Sequence, residues 1–252
     1  MKNSIFDKNY SYIYDLIYKD KKYSSEVARI LNFLKNININ KNSQFIDLGC
    51  GTGNHLIELL KLGYNVDGFD ISDEMLKFAR EKLNNHGFFN TKLYQGDIMN
   101  MKLDKRFDVL LCLFNVIGYL EDLNLTIKKI IDHSKEKSIF IFDFWNSELV
   151  KKYKPKKTIS VKKYENSLIT KESQGKLLSD NKLEIKIKFS VKQNDKIIIQ
   201  NTETHYVNSY NLKKLKETLV KKGFKKIFFE DFSDLKPSIK KKNWNMLCYA
   251  VK

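Results

Sequence analysis

Three segments in the first half of the chain place glycines or carboxylates directly after short apolar runs. Gly49, Gly51 and Gly53 stand between a strand-like run and a helix-like run. Backbone amides and the positive end of a helix can face a ligand there. Asp70 follows 21 residues after Gly49, where a carboxylate can accept hydrogen bonds from both ribose hydroxyls of a nucleoside. Asp97 ends a third apolar run and suits the amino group of adenine, so the three segments predict a nucleoside site.

The elements that must position these residues alternate between strands and helices. Strand patterns occupy 44–48, 65–69, 91–94, 107–113 and 138–144, and helical patterns occupy 25–36, 54–62, 73–86 and 123–133. This alternation predicts a parallel sheet covered by helices, with the ends of adjacent strands lining one crevice. Ser72 is the expected N-cap of the helix at 73–86. Asn54 stands where the dinucleotide fingerprint needs a glycine, which counts against NAD.

The pattern changes after Trp145. Residues 158–207 alternate polar and apolar side chains, which is typical of antiparallel strands. Helical and strand patterns return before the end of the sequence. We therefore expect a core built from residues 1–150 and 206–252, with an inserted antiparallel β lobe at 151–205.

The motifs taken together resemble those of class I S-adenosylmethionine (SAM)-dependent methyltransferases. The matching residues are Asp47-Leu48-Gly49-Cys50-Gly51-Thr52-Gly53, Asp70 and Gly96-Asp97-Ile98. The resemblance implies an α/β fold with a Rossmann-like seven-stranded sheet, SAM as the cofactor, and methyl transfer as the reaction. It assigns cofactor binding to Tyr23, Asp47, Gly49, Cys50, Gly51, Asp70, Ile71, Met75, Asp97, Ile98 and Leu113.

Three further segments narrow this resemblance. The tyrosine-rich segment 12–18, the segment 113–120 and the insert are similar to the small-molecule branch of the family. That branch includes nucleotide-linked aminosugar N-methyltransferases and glycine methyltransferases. The resemblance implies that the tyrosine segment closes over the cofactor. It also implies that the inserted sheet walls the substrate pocket or makes the contact of a homodimer.

Three residues are candidates for a base that takes a proton from the acceptor. His205 ends the insert, and an imidazole titrates near neutral pH. Tyr14 lies in the segment that the resemblance places over the methyl group. Some sugar-modifying relatives have a catalytic histidine after the fourth strand, where this chain has Tyr119. Each candidate also has a structural alternative, since a tyrosine can pack beneath a lid and a lone histidine can be a core residue.

The formal charge of +16 is confined to the last part of the chain. Residues 1–150 carry 20 Lys/Arg and 20 Asp/Glu, whereas residues 151–252 carry 26 and 10. A positive field there would favour a phosphorylated or otherwise acidic small acceptor, such as a nucleotide-linked sugar used for a surface polysaccharide. A solvated lysine-rich surface is an equal alternative. Only three of the 46 basic residues are arginine, which disfavours nucleic-acid recognition.

Two other functions stay open. An RNA or DNA methyltransferase could use the basic region as a phosphate track. Against this, Leu113-Phe114-Asn115-Val116 stands where enzymes that methylate base amino groups have an N/D-P-P-Y/F motif. A SAM-binding partner protein without catalysis of its own is the second alternative.

Composition counts against several other classes of protein. The longest apolar run, 109–120, has 12 residues and is too short to cross a bilayer. No secretory signal precedes it, so we expect a cytoplasmic protein. Cys50, Cys112 and Cys248 are widely spaced and odd in number, which predicts no disulfide framework. No cluster of His, Asp or Glu suggests a metal site.

Overall fold

The structure is a computed structural model that describes residues 8–37, 39–164, 166–194, 196–232 and 244–252. The helices in these ranges are α1 (Lys8–Ile17), α2 (Tyr23–Lys35), α3 (Asn54–Lys61), α4 (Asp73–Asn85), α5 (Leu123–Asp132), α6 (Ser147–Tyr153) and α7 (Leu212–Lys221). The strands of the core are β1 (Gln44–Leu48), β2 (Asn65–Asp70), β3 (Leu93–Gln95), β4 (Phe107–Cys112), β5 (Ser134–Trp145), β10 (Lys226–Asp231) and β11 (Asn245–Val251). The strands of the insert are β6 (Thr158–Tyr164), β7 (Ser167–Leu177), β8 (Lys182–Gln193) and β9 (Lys196–Asn208).

The core is a seven-stranded sheet in the order β10-β11-β5-β4-β1-β2-β3. β1 pairs in parallel with β2 on one side and with β4 on the other. β2 also pairs in parallel with β3, and β4 with β5. β11 pairs antiparallel with both β5 and β10, so it alone reverses direction within this sheet. The prediction of an α/β fold with a Rossmann-like seven-stranded sheet is confirmed.

Helices cover both faces of this sheet, as parallel strands require. On one face, α2 and α3 pack Val27 and Leu56 against strand residues such as Phe45. On the other face, α5 and α7 pack Ile127 and Leu219 against the phenylalanines of β5. The helix α4 begins at the predicted N-cap, since the hydroxyl of Ser72 accepts a hydrogen bond from the backbone N–H of Met75. Within the described ranges, no helix is long and apolar enough to span a membrane.

The insert is an antiparallel sheet in the order β6-β7-β8-β9. One face of it carries Ile187, Phe189 and other apolar residues that pack on α1 and on Met75 of α4. The helix α1 is therefore held between the core and the insert. The observed strands run from Thr158 to Asn208, whereas the lobe was predicted at 151–205. The difference at its start arises because α6 extends through Tyr153, with its first turn capped by the side chain of Asn146.

Candidate active site

A cavity of about 840 Å³ lies between the carboxyl ends of the core strands and the inner face of the inserted sheet. The core wall of this cavity is formed by the loops after β1, β2 and β3 and by the start of α4. The insert wall is formed by Lys171, Ser173, Ile185, Ile187, His205 and Val207, with Tyr119 in contact with His205. Ten of the predicted cofactor residues line the cavity: Tyr23, Gly49, Cys50, Gly51, Asp70, Ile71, Met75, Asp97, Ile98 and Leu113.

The glycine loop after β1 needs glycine for both conformation and space. Gly49 has φ +76, which L side chains rarely adopt. A Cβ atom added there would lie 2.5 Å from Cγ2 of Val116. Gly51 also has a positive φ, and its backbone N–H points at the end of β2. The loop therefore presents bare backbone to the cavity immediately before α3 begins.

Asp70 is held in a fixed orientation at the end of β2. Its Oδ2 accepts a hydrogen bond from the backbone N–H of Gly51 at 2.8 Å, and its Oδ1 accepts one from that of Ser72 at 2.9 Å. Burial raises the pKa of Asp70, and these backbone hydrogen bonds oppose that rise. A carboxylate oxygen has more than one acceptor site, so both oxygens can still accept hydrogen bonds from a ligand.

Asp97 is held in a similar way after β3. It caps the short 3-10 helix Ile98–Asn100, where its Oδ1 accepts a hydrogen bond from the backbone N–H of Met99 at 2.9 Å. Two apolar side chains accompany these carboxylates on the core wall. Ile98 is buried, whereas Ile71 is 62% exposed, which leaves an uncovered apolar surface inside a cavity. A flat apolar group of a ligand could cover it.

Asp47 is the one predicted cofactor residue that the structure does not place on the cavity wall. It is 1% exposed and sits within the sheet, in register with Gly68 of β2 and Leu111 of β4. Burial raises the pKa of Asp47 to about 6, and the nearby charge of Asp70 adds to that rise. Its Oδ2 atom is buried and has no hydrogen-bond partner among the described residues.

Two of the predicted catalytic residues, one from the core and one from the insert, contact each other at the cavity wall. The hydroxyl of Tyr119, from the 3-10 helix Val116–Tyr119, lies 3.1 Å from Nδ1 of His205 on β9. The Nε2 atom of His205 lies 3.1 Å from Oε2 of Glu203. Both His205 and Glu203 are buried. Sequence analysis missed Glu203, although the alternation of a strand places residues two apart on the same face.

The third predicted catalytic residue, Tyr14, lines the cavity from α1. Its ring centroid is 4.8 Å from that of Tyr18 and 6.2 Å from that of Phe114, in an aromatic cluster that closes one side of the cavity. Asp15 ties α1 to the glycine loop by accepting a hydrogen bond from the hydroxyl of Thr52 at 2.7 Å. The side chain of Tyr12, also part of the predicted tyrosine segment, lies outside the described residues.

The basic charge of the second half is not gathered on the cavity wall. Lys171 is the single lysine among the described residues that line the cavity. Its Nζ donates a hydrogen bond to the hydroxyl of Tyr18 at 2.7 Å. Lys186 and Lys188 of β8 are exposed, like many lysines of the insert. Among the described residues, one lysine of the insert is therefore placed to contact an acceptor in the cavity directly.

The remaining histidines and the cysteines form no further cluster of catalytic groups among the described residues. His55 also lines the cavity, and its Nε2 lies 2.8 Å from a carboxylate oxygen of Glu26. Nε2 of His133 accepts a hydrogen bond from a backbone N–H at 3.0 Å, and His86 is exposed at the end of α4. The three cysteines are buried and free. In the described part of the chain, no three His, Cys, Asp or Glu residues are grouped so that they could hold a metal ion.

Comparison with known proteins connects this site to a family. A family model described as a methyltransferase domain matches residues 39–183, which is more than half of the chain. The dTDP-3-amino-3,4,6-trideoxy-alpha-D-glucopyranose N,N-dimethyltransferase of Streptomyces venezuelae is 26% identical over 146 residues. That alignment covers 56% of this chain and 59% of the relative, so the chain spans less than two thirds of the relative's length.

Solved structures extend the similarity of fold to the whole chain. The crystal structure of Streptomyces venezuelae DesVI matches with a TM-score of 0.80 at 19% identity, covering 96% of this chain and 98% of the other. SAM-bound CalS10, an amino pentose methyltransferase from Micromonospora echinaspora, matches with a TM-score of 0.73 at 15% identity over 100% of both chains. CalS10 is bound to SAM, the cofactor predicted for this chain. The predicted family resemblance is confirmed: this chain belongs to the methyltransferase-domain family.

Proposed function

We propose that this chain transfers a methyl group from SAM to the amino nitrogen of a small, sugar-containing acceptor. The observation that carries the proposal is the cavity with two chemically different walls. One wall offers bare backbone and two oriented carboxylates, and the other offers a tyrosine, a histidine and a lysine. The Streptomyces venezuelae relative, an aminosugar N,N-dimethyltransferase by name, supports nitrogen over oxygen as the methylated atom.

The core wall fits SAM on the geometry of its own residues. Asp70, held by two backbone N–H groups, would accept hydrogen bonds from the ribose hydroxyls. Asp97 would accept one from the adenine amino group, and the exposed surface of Ile71 would cover an adenine face. The glycine loop leaves room for the remaining part of the molecule beside Gly51, where nothing lies within 4 Å of an added Cβ atom. Asp47 is buried in the sheet and off the cavity wall, so we assign it no contact with SAM.

The chain's remaining task is to hold the acceptor and exclude water. SAM supplies a methyl group already activated on a sulfonium, so orientation and desolvation account for much of the catalysis. The aromatic cluster of Tyr14, Tyr18 and Phe114 keeps water from one side of the cavity. Asp15 holds α1 in that position through its hydrogen bond from Thr52. Tyr14 would also orient the acceptor, because it lines the same cavity.

Lys171 is the residue that we assign to an acidic group of the acceptor. It is the lysine that reaches the cavity from the insert, and its hydrogen bond to Tyr18 fixes its Nζ near α1. A phosphate of a nucleotide-linked sugar would suit this position. A cytoplasmic location, a homodimer and a role in surface polysaccharide synthesis stay predictions.

A methyl-transfer assay tests the proposal. The purified protein with SAM is offered dTDP- and UDP-linked aminosugars, the corresponding sugars with a hydroxyl in place of the amine, and bulk RNA. We expect mass spectrometry to show one or two added methyl groups on an aminosugar and none on the other two classes. Methylation of RNA, with a rate that falls steeply with salt, would overturn the proposal. Binding of SAM with no transfer to any of these acceptors would instead favour a noncatalytic SAM-binding protein.

A further inference from the structure

We propose that Tyr119, His205 and Glu203 form a proton relay that removes the proton from the acceptor nitrogen. In this relay Tyr119 touches the acceptor, His205 is the final base, and Glu203 is a positioning residue. The inference rests on the proposed N-methylation, because an amine is protonated in neutral water and must lose a proton before it can attack a methyl group.

The three side chains form a continuous chain of contacts. Tyr119 Oη lies 3.1 Å from Nδ1 of His205, and Nε2 of the same ring lies 3.1 Å from Oε2 of Glu203. Glu203 and His205 are two residues apart on β9, so both face the core side of the inserted sheet. Tyr119 comes from the core, 86 residues earlier in the chain. The relay is therefore complete only when the insert packs against the core.

The chemistry of the three groups gives the relay a direction. Oε2 of Glu203 lies 3.1 Å from Nε2 of His205 without an aligned hydrogen bond between them, so a negative charge on Glu203 acts on the ring through space and favours hydrogen on Nε2. In the neutral ring Nδ1 is then an acceptor, and the hydroxyl of Tyr119 donates to it. The oxygen of Tyr119 keeps a lone pair that can accept a hydrogen bond from the acceptor nitrogen. Each group thus has one role in the resting state.

The proton then moves in two linked transfers. The N–H bond of the acceptor ammonium breaks, its electron pair stays on nitrogen, and the proton forms a new O–H bond on Tyr119. The original O–H bond of Tyr119 breaks at the same time, and that proton forms the N–H bond at Nδ1 of His205. The products are a neutral amine, a neutral tyrosine and an imidazolium paired with the carboxylate of Glu203.

Burial explains why a tyrosine by itself is a poor base here. Burial raises the pKa of the Tyr119 phenol above its ordinary value, so a free tyrosinate is disfavoured. Passing the second proton to His205 avoids that intermediate. A buried carboxylate such as Glu203 is itself unfavourable unless it is paired, and the imidazolium formed at 3.1 Å provides its partner.

The first test measures the state of the histidine and needs no acceptor. The chain has four histidines, so ¹⁵N-histidine NMR of the full chain with SAM resolves them, and His205→Asn identifies the signals of His205. We expect a neutral ring with hydrogen on Nε2 in the wild type and loss of that preference in Glu203→Gln. Glu184→Gln, on the opposite face of the same sheet, should leave the signals unchanged. Hydrogen on Nδ1, or a doubly protonated ring in the resting state at neutral pH, would overturn the relay.

The second test separates turnover from binding. We expect Tyr119→Phe and Glu203→Gln each to lower kcat about 100-fold, in the range of general base catalysis, with acceptor KM and SAM affinity nearly unchanged. Tyr206→Phe is the matched control, since Tyr206 adjoins His205 on β9 but is 49% exposed on the other face. Full kcat in both variants would overturn the relay while leaving the proposed methylation intact. Absence of turnover in the wild type would overturn the proposed function, and the NMR result would still decide the arrangement of the three groups.

Discussion

The two walls of the cavity are assembled in different ways. The core wall uses residues that lie at or directly after strand ends, such as Gly51, Asp70 and Asp97. Backbone N–H groups hold Asp70, one from Ser72 two residues along the chain and one from Gly51 in the loop after the adjacent strand β1. The insert wall brings Tyr119 of the core against a strand of the insert. Loops after adjacent strands of one sheet thus build one wall, and docking of two sheets builds the other.

The difference also separates the expected functions of the walls. Polar groups of the core wall are oriented by backbone N–H groups, which suits a ligand bound in one fixed pose. Polar groups of the insert wall are oriented by other side chains, as in the contacts of His205 with Tyr119 and Glu203. We therefore expect changes in the core wall to act on SAM affinity. Changes in the insert wall should act on the acceptor.

The largest effect is expected for Gly49→Ala in the core wall. The added Cβ would lie 2.5 Å from Val116 at a φ of +76, so both a clash and backbone strain follow. We expect SAM affinity to fall at least about 1,000-fold, or about 4 kcal/mol. The free energy of unfolding should fall by about 1–3 kcal/mol. Calorimetry and urea unfolding measure the two effects.

Gly87→Ala is the matched control for backbone strain. Gly87 has φ +80 with nothing within 4 Å of an added Cβ, and it lies outside the residues that line the cavity. Its substitution should lower stability by about 1–3 kcal/mol without changing SAM affinity. Unchanged SAM affinity in Gly49→Ala would show that the glycine loop is not part of the SAM site.

Asp70→Ala is expected to have the next largest effect. The variant removes the acceptor of the ribose hydroxyls and also releases the N–H groups of Gly51 and Ser72. We expect SAM affinity to fall about 100-fold, or about 2.7 kcal/mol, which is the scale of hydrogen bonds to an ionised group. Circular dichroism should show the secondary structure intact, since the residue ends a strand. Binding of SAM at the wild-type affinity would contradict the assignment, and binding of NAD to either protein would contradict the choice of cofactor.

The Asp47→Asn variant tests whether the buried carboxyl of Asp47 is protonated in the folded chain, through the pH dependence of stability. Burial raises the pKa of Asp47 to about 6, so the folded chain keeps a proton that the unfolded chain loses. The stabilisation from this proton is complete below the unfolded value of about 4 and is lost as pH rises through about 6. Relative to the wild type, the variant should therefore gain about 2 kcal/mol in free energy of unfolding between about pH 4 and pH 7. Urea unfolding across this range measures the gain.

A second buried carboxyl, that of Asp143, does not affect the difference in stability between Asp47→Asn and the wild type. Burial also raises the pKa of Asp143 to about 6, but Asp143 is present in both proteins and cancels in the difference. A difference between Asp47→Asn and the wild type that stays constant with pH would show that Asp47 is ionised in the folded chain. It would then lie in a more polar setting than the sheet interior provides.

The smallest effect is expected for Lys171→Met on the insert wall. The variant removes the cation that we assign to an acidic group of the acceptor but keeps an unbranched side chain. We expect acceptor KM to rise about tenfold, or about 1.4 kcal/mol, with SAM affinity unchanged. Lys186→Met, at an exposed position of β8, should change neither quantity. Equal effects of the two variants would show that the lysines act through the general charge of the surface.

Local sequence rules predicted the core more fully than the elements around it. The N-cap Ser72 and the start of β1 at Gln44 agree with the predicted positions, because short-range hydrogen bonds and periodicity determine them. β5 begins at Ser134, before its predicted start at 138, because its polar first residues extend alongside β4. Residues 151–153, which we predict as the start of the insert, instead end α6, because lysines without an apolar period do not show a helix in the sequence. The start of β5 and the helix α6 both depend on contacts in the folded chain, which the sequence pattern does not contain.

By itself, the sequence determined the order of the core strands along the chain, the glycine loop and the two strand-end carboxylates. These features need only neighbouring residues, so residue type and spacing are sufficient to predict them. The tertiary structure alone decided that Asp47 lies off the cavity wall and that, among the described residues, Lys171 is the lysine that lines it. It also joined Tyr119 to His205 and Glu203. Such contacts depend on how two sheets pack together, and residues far apart in sequence leave no periodic pattern from which that packing follows.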